Sequence, residues 1–263
     1  MPANKSSRMP AAFIGHGSPM NALETNRYSQ AWQAFGRSIP KPTAVLAISA
    51  HWYTRGVRVT AMEKPKTIHD FGGFPQALFD MQYPAPGDRK LATRVKELLK
   101  PLDVQLDTQW GLDHGTWSVL VHMFPNADIP VLQLSIDGSQ PAQFHYDIGK
   151  KLTALRDEGV LILGSGDVVH NLGLMQRSDQ APAYDWATQF NDHVNDCLAR
   201  RDPQSLINYE SFGEAARLSI PTAEHYLPLL YVLGAQRDDD ALSILVDGID
   251  LRSISMLSIG IGA

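Results

Sequence analysis

The sequence predicts an α/β domain with a central sheet, mostly parallel or mixed, that is flanked by helices. Apolar runs alternate with amphipathic stretches over most of the 263 residues, a pattern typical of strands joined by crossover helices. No low-complexity linker divides the chain, so residues 10–263 are expected to form one domain behind a flexible amino-terminal segment, residues 1–9. Several apolar runs also end close to a histidine, at the position where an α/β sheet places its ligand crevice.

Seven apolar runs are predicted to be strands. They are residues 11–15, 43–50, 57–62, 103–107, 129–136, 160–165 and 254–261. His16 follows the first run, His51 the second and His170 the sixth. Because the carboxyl ends of neighbouring strands open onto a common crevice, these imidazoles are expected to converge on one point. A metal or acid–base site is therefore the first hypothesis.

Between the strands, four stretches show helical spacing of apolar residues. The first three run through Leu91, Val95, Leu98 and Leu99 to Pro101, through Phe144, Ile148, Leu152 and Leu155 to Gly159, and through Trp186, Phe190, Val194 and Cys197 towards Pro203. The fourth is predicted over 222–234, which puts His225 in its first turn and Gly234 at its end.

Segments 63–87 and 108–117 fit neither the strand period nor the helix period. The first contains His69, Asp70, Phe71 and Phe74 among glycines and prolines, a composition that predicts an ordered loop. Such a loop is either a wall of the substrate site or a surface loop with buried aromatic side chains. The second segment contains His114 in a glycine-flanked turn just before a helix.

Composition excludes several classes of protein. The net charge of −5, without a basic run, argues against nucleic-acid binding and a basic membrane patch. No apolar stretch reaches the roughly 18 residues that span a bilayer, and the amino terminus lacks a signal-peptide core, so a cytoplasmic location is expected. Cys197 is the lone cysteine, so histidine and carboxylate side chains must hold any metal.

Common enzyme motifs are incomplete. Two glycine pairs, Gly15 with Gly17 and Gly164 with Gly166, follow strands but lack the third glycine of a dinucleotide-binding loop. There is no phosphate-binding loop, nucleophile elbow or metalloprotease helix in the sequence. Nucleotide binding and serine hydrolysis are therefore disfavoured.

The nine histidines separate into two groups. His122, His145 and His193 lie in helical stretches and are interpreted as packing or surface residues, and His69 is left unassigned. The five at loop or element-terminal positions are His16, His51, His114, His170 and His225. Neutral imidazole suits zinc and iron, a catalytic site needs about three protein ligands, and the other histidines are suited to proton transfer. Spacing alone leaves open both the metal and the three ligands.

Six ordered motifs together resemble the class III extradiol ring-cleaving dioxygenases of the LigB-like superfamily, in particular the 4,5-DOPA dioxygenase branch. They extend from about residue 10 to the carboxyl terminus. They are Gly15-His16-Gly17-Ser18-Pro19, Ser49-Ala50-His51-Trp52, His69-Asp70-Phe71-Gly72-Gly73-Phe74-Pro75, Asp113-His114-Gly115, Gly164-Ser165-Gly166 with His170-Asn171-Leu172, and Pro221-Thr222-Ala223-Glu224-His225-Tyr226-Leu227-Pro228-Leu229-Leu230.

The resemblance implies a metal held by His16, His51 and His225. It implies that His170 is the acid–base histidine, close enough to be a fourth ligand in some states, and that His114 contacts the substrate or oxygen. The wider superfamily commonly uses two histidines and a carboxylate, so Glu224 is an alternative to His225. The implied cofactor in catalysis is Fe(II). An all-histidine site also suits Zn²⁺, so the purified protein is expected to be able to carry zinc instead.

The implied reaction opens a catechol next to its diol with O₂ and yields a semialdehyde. His69 and Asp70 are expected as polar substrate contacts, and Phe71 and Phe74 as an apolar wall for the ring. Two alternatives stay open from the residues themselves: a zinc hydrolase that uses the same histidines, and a non-catalytic relative of the fold. The physiological catechol and the oligomeric state are not identified by the sequence.

Overall fold

The computed structural model of the chain describes residues 8–176 and 181–263. Its strands are β1 (Ala11–Gly15), β2 (Ala44–Ser49), β3 (Tyr53–Thr54), β4 (Arg58–Thr60), β5 (Gln105–Asp107), β6 (Val131–Gln133), β7 (Ile136–Asp137), β8 (Val160–Gly166), β9 (Leu242–Val246), β10 (Ile249–Asp250), β11 (Ile254–Ser255) and β12 (Ser258–Ile261). The central six-stranded sheet has the order β6-β2-β8-β1-β12-β9. The four strands from β6 to β1 are mutually parallel, and β12 is antiparallel to both its neighbours. The sheet is therefore mixed.

Helices cover both faces of this sheet. They are α1 (Arg27–Ser38), α2 (Gln76–Phe79), α3 (Arg89–Leu98), α4 (His114–Met123), α5 (Ala142–Leu152), α6 (Ala154–Asp157), α7 (Asp185–Arg200), α8 (Pro203–Ile207), α9 (Glu214–Ser219) and α10 (Leu227–Gly234), with short 3-10 helices at Pro19–Ala22 and Tyr209–Phe212. Side chains alternate along the strands: Phe13 packs with α5, α7 and α10, whereas Ile14 packs with α1 and α4. The single α/β domain predicted by the sequence is confirmed.

Most predicted strands lie where the sequence placed them, with two differences. The runs 129–136 and 254–261 are each divided, into β6 and β7 and into β11 and β12, and β4 and β5 pair with each other outside the central sheet. Strand β9 was missed: it is the edge of the sheet, where Ser243 and Ile244 are exposed, and Ser243 interrupts its apolar run.

The prediction of a helix over 222–234 is wrong at its start. Helix α10 begins at Leu227, and the residues from Pro221 to Tyr226 form bends and turns. Pro228 explains the boundary, because proline fits the first turn of a helix but removes a hydrogen bond from its interior. His225 therefore lies in the turn before α10.

The helical stretch predicted around His122 is confirmed as α4, but α4 already begins at His114, and helix α1 was missed. Helix α4 shows no amphipathic period because it is buried on nearly all sides, from His114 to Leu120 and again at Met123. Helix α1 does have an apolar stripe, formed by Tyr28, Trp32 and Phe35, so its signal was present in the sequence.

The described chain packs against the domain from Arg8 onward. Residues 1–7 of the amino-terminal segment predicted to be flexible lie outside the described residues. Met9 is buried and its amide donates to the Arg156 carbonyl, while Arg8 pairs with Asp239 and Asp240.

Within the described part of the chain, no helix combines the length and apolar character needed to cross a membrane.

Candidate active site and metal centre

Three histidines reach one point from three separate segments. His16 follows β1, His51 follows β2, and His225 lies in the turn before α10. One ring nitrogen from each lies within 4.8 Å of the other two, and the Nε2 atoms of His16 and His51 are 3.1 Å apart. They meet because β8 pairs in parallel with both β1 and β2, which brings the carboxyl ends of these strands to one edge.

The hydrogen bonds of His16 identify its tautomer. Its Nδ1 lies 3.0 Å from the Ser165 Oγ, and that hydroxyl donates its own hydrogen to the Gly115 carbonyl. Ser165 therefore accepts from His16, which puts the proton on Nδ1 and leaves a lone pair on Nε2. Metal-binding imidazoles are usually oriented in this way, through a hydrogen bond at the remote nitrogen.

His225 is fixed by its backbone and by an adjacent carboxylate. Its carbonyl accepts the Asp167 amide at 2.9 Å, and a Cβ on Gly166 would lie 2.1 Å from that carbonyl oxygen, so this close approach requires glycine. Glu224 Oε1 lies 3.4 Å from Nδ1 of His225 and accepts the Thr222 hydroxyl at 2.7 Å. Glu224 thus faces Nδ1, which leaves Nε2 of His225 for another partner.

Asp70 connects the glycine-rich loop to two histidines. Its Oδ1 lies 3.0 Å from Nδ1 of His114 and accepts the His114 amide at 2.9 Å, and its Oδ2 lies 3.5 Å from Nδ1 of His51. Burial opposes ionisation of Asp70, but its hydrogen bonds with His114 and the nearby imidazoles hold its pKa below the usual value. A Cβ on Gly115 would lie 2.9 Å from the His51 ring, so glycine also makes room for this cluster.

His170 lies against His225. Their rings stack with centroids 3.4 Å apart and an interplanar angle of 8°. The backbone holds His170 in place, since its amide donates to the Ser219 carbonyl at 2.8 Å. One ligand atom from each of His170, His225 and Asp167 lies within 4.8 Å of the other two, so His170 borders the same centre.

Asp167 is a buried carboxylate that the sequence analysis did not select. Its side chain is fully inaccessible, and its Oδ1 accepts the Gly17 amide at 2.9 Å. Its Oδ2 lies 3.6 Å from Nε2 of His16 and has no hydrogen-bond partner among the described residues. Burial raises the pKa of this carboxyl well above the usual value. Its position directly after a buried strand, as for His16, was the signal in the sequence.

His16, His51, His170 and His225 are neutral at neutral pH. Burial is the main cause: it lowers the pKa of His16 and His225 well below the usual value, that of His51 to about 3 and that of His170 to about 4. Neighbouring imidazoles lower these pKa values further, because each would repel a second positive charge. Neutral imidazole is the form that binds metal ions.

A cavity of about 410 Å³ opens onto this cluster. Its apolar wall includes Phe71 and Phe74, whose rings meet edge to face at 5.4 Å, and Phe71 meets the His114 ring at 5.5 Å. The residues that line the cavity are His16, Gly17, Ser18, Pro19, His51, Asp70, Phe71, Gly72, Phe74, His114, His170, Leu172, Met175, His225, Leu251 and Ile254. The volume and the mixture of aromatic and polar walls suit a small aromatic molecule.

Not every candidate residue faces this cavity. His69 lies behind its aromatic wall, with Nε2 3.0 Å from the Met81 carbonyl and its ring against Trp117. His122 hydrogen-bonds to the Asn21 carbonyl, and His145 is buried against Tyr231. Sequence reasoning did not select Leu172, Met175, Leu251 and Ile254, since apolar cavity walls from separate loops share no motif.

The donor set fits a divalent transition metal. Two ligands that are each about 2.1 Å from one ion can lie 3.1 Å apart, as the Nε2 atoms of His16 and His51 do. The three imidazoles are neutral and come from the protein side, while the cavity borders the remaining side. The fold and the site therefore define an α/β protein with a three-histidine candidate metal centre beside an aromatic-lined cavity.

Comparisons with known proteins agree with this class. The family model described as the catalytic LigB subunit of aromatic ring-opening dioxygenase matches residues 10–258. The chain is 55% identical to a 4,5-DOPA dioxygenase extradiol of Escherichia coli K12, over 98% of this chain and 96% of that protein. It is 37% identical to a 4,5-DOPA dioxygenase extradiol of Beta vulgaris, over 89% of each.

A solved structure is also similar. The crystal structure of uncharacterized protein JW3007 from Escherichia coli K12 is 49% identical, with a TM-score of 0.84 over 96% of this chain and 99% of that one. The chain belongs to the LigB family of ring-opening dioxygenases. It is a metal-dependent extradiol dioxygenase, an oxidoreductase that incorporates O₂, and the hydrolase and non-catalytic alternatives are not favoured.

Proposed function

We propose that the chain opens the ring of a DOPA-like catechol next to its diol, using Fe(II) held by His16, His51 and His225. The observation that carries the proposal is the convergence of three neutral imidazoles at the floor of an aromatic-lined cavity. The relatives named 4,5-DOPA dioxygenase extradiol support the choice of substrate class.

His170 is the acid–base residue of this proposal. It borders the cavity, and burial keeps it neutral, so it can accept a proton from a catechol hydroxyl at neutral pH. Bound Fe(II) supplies the O₂ chemistry and lowers the pKa of the diol. His170 later returns the proton as the ring opens to a semialdehyde that carries both oxygen atoms of O₂.

The other groups position the substrate. Asp70 lies against Nδ1 of His114, so it holds this imidazole towards the cavity, where His114 contacts the diol or the oxygen. Phe71 and Phe74 form the wall against which the ring lies. Glu224 faces Nδ1 of His225 and orients it as a ligand. The apolar walls keep water from the reacting atoms.

Anaerobic reconstitution tests the proposal. The metal-free chain is loaded with Fe(II) or Zn²⁺ without oxygen, given a panel of catechols that includes DOPA, and then exposed to O₂ while absorbance is recorded. We expect a yellow ring-fission product with Fe(II) and none with Zn²⁺. Consumption of O₂ without ring opening, or equal activity with both metals, would contradict it.

Variants test the ligand set. His16→Ala, His51→Ala and His225→Ala should each lose most of the bound metal and remain folded, because each removes one of three strong bonds while the sheet core lies elsewhere. Metal analysis and circular dichroism measure the two properties. Full occupancy in His225→Ala together with loss in Glu224→Ala would transfer the third ligand to Glu224.

A further inference from the structure

Oδ2 of Asp167, at the centre of the site, has no hydrogen-bond partner among the described residues. The side chain is fully buried, and a buried charged oxygen is costly unless a cation or a hydrogen-bond donor satisfies it. The other oxygen, Oδ1, is already satisfied by the Gly17 amide at 2.9 Å. The Asp167 side chain is therefore held by a hydrogen bond at Oδ1, and Oδ2 is available to a further partner.

Two of the candidate ligand segments hold Asp167 in this position. The Gly17 amide belongs to the residue after His16, and the Asp167 amide donates to the His225 carbonyl at 2.9 Å. Asp167 thus bridges the segment after β1 and the turn before α10. These hydrogen bonds fix the position of Asp167 relative to the segments that carry both histidines.

The position of Oδ2 is compatible with a shared ion. It lies 3.6 Å from Nε2 of His16, and two ligands that are each about 2.1 Å from one ion can lie up to about 4.2 Å apart. Asp167 also groups with His225 within 4.8 Å, and His225 groups with His16 and His51 within the same limit. The two groups share His225, so Asp167 lies directly beside the three-histidine cluster.

We propose that Asp167 is a further ligand of the metal, binding through Oδ2 from the protein side. The inference rests on the proposed metal centre of His16, His51 and His225. Because Asp167 is buried beneath the cluster and does not line the cavity, it leaves the cavity side of the ion to the substrate. It also gives the centre a carboxylate, whose negative charge offsets part of the charge of the ion.

Glu224 is the competing carboxylate, and its contacts differ. It faces Nδ1 of His225 and accepts the Thr222 hydroxyl, whereas Oδ2 of Asp167 faces Nε2 of His16, the nitrogen with the lone pair. A variant of each carboxylate therefore separates direct binding of the ion from orientation of a histidine. Asp167→Asn keeps an acceptor for the Gly17 amide and loses the charge, and Glu224→Gln is its match.

Co(II) is the probe, titrated anaerobically into the metal-free full-length chain. We expect Asp167→Asn to weaken Co(II) binding by more than the roughly 10- to 100-fold that follows loss of an outer partner, and to change the visible Co(II) bands. Glu224→Gln should weaken binding by no more than that range and keep the wild-type bands. Wild-type bands in Asp167→Asn would overturn the inference.

A second measurement does not depend on folding of the variant. In a crystal structure of the Co(II)-loaded wild-type chain, Oδ2 of Asp167 should lie about 2.0–2.2 Å from the ion. A separation beyond about 3 Å would overturn the inference. If His16→Ala and His225→Ala lose Co(II) while Oδ2 stays distant, only the role of Asp167 fails. If those histidine variants bind Co(II) normally, the proposed centre itself fails.

Discussion

At the scale of single residues, the five histidines of the site differ in what holds each ring. Nδ1 of His16 is used by Ser165, and Nδ1 of His225 faces Glu224. The ring of His170 is positioned by stacking on His225 and by its backbone, and no side-chain hydrogen bond within the described residues occupies its nitrogens. Its ring is therefore the one most available for proton transfer.

We expect His170→Gln to lower turnover by roughly 10²–10⁴-fold, the range typical of a lost general acid–base group, while metal content and catechol binding are largely kept. Steady-state kinetics and metal analysis of the same preparation measure both. Metal loss as complete as in His16→Ala would instead identify His170 as a ligand of the resting centre, and full activity would remove it from the mechanism.

Phe74 tests the role of the aromatic wall. Phe74→Ala should raise the apparent KM for catechols about tenfold, equivalent to about 1.4 kcal/mol of lost ring contact, with unchanged metal content. Phe79→Ala is the matched control, because Phe79 packs against Phe71 but does not line the cavity. A lower Tm with unchanged KM in Phe74→Ala would show that the residue serves only loop packing.

At the scale of elements, close backbone contacts decide where the histidines lie. The turn before α10 approaches the end of β8 at Gly166, and α4 begins beside His51 at Gly115. These contacts place a turn, a strand end and a helix start around one point. The geometry of the site therefore depends on glycines that carry no chemistry of their own.

Gly166→Ala should displace the turn that carries His225, because its Cβ would meet a backbone oxygen at 2.1 Å and neither segment can rotate away. We expect a loss of about 1–3 kcal/mol in the free energy of unfolding, together with weaker metal binding. Urea denaturation and metal titration are the measurements. Gly72→Ala is the control, since its Cβ would meet nothing within 4 Å, and an equal loss in both variants would contradict this explanation.

At the scale of the whole molecule, two apolar layers enclose the central sheet and leave the site at one edge. The larger layer holds α5 and α10 together and buries His145 between them, where its Nδ1 hydrogen-bonds with the Tyr231 hydroxyl at 2.9 Å. Burial lowers the pKa of His145 to about 4. This histidine contributes to acid sensitivity without belonging to the site.

The lowered pKa of His145 makes the folded chain less stable at acidic pH. His145 titrates near 6.5 when unfolded and near 4 when folded, so only the unfolded chain binds the proton between these values. The contribution of neutral His145 to the free energy of unfolding is fully present above pH 6.5. It is lost as the pH falls to about 4, and the loss amounts to roughly 3 kcal/mol. In metal-free protein, His145→Gln should show a flatter dependence of unfolding free energy on pH over this range. Parallel curves for the two proteins would contradict the assignment.

The sequence by itself determined the fold class, most strands of the sheet and the five histidines of the site. It could do so because buried strands are continuous apolar runs, and because His16, His51 and His170 follow such runs directly or within a few residues. It also marked the loop with Phe71 and Phe74 through its glycines, prolines and aromatic residues.

Only the tertiary structure decided which of these groups meet, and how. The place of β8 between β1 and β2 sets the 3.1 Å approach of His16 and His51, and long-range contacts set the tautomer of His16. Long-range contacts also give the two carboxylates different positions. Asp167 faces the centre, and Glu224 faces Nδ1 of His225. Hydrogen bonds and burial between residues far apart in the chain leave no local pattern, so the sequence cannot display them.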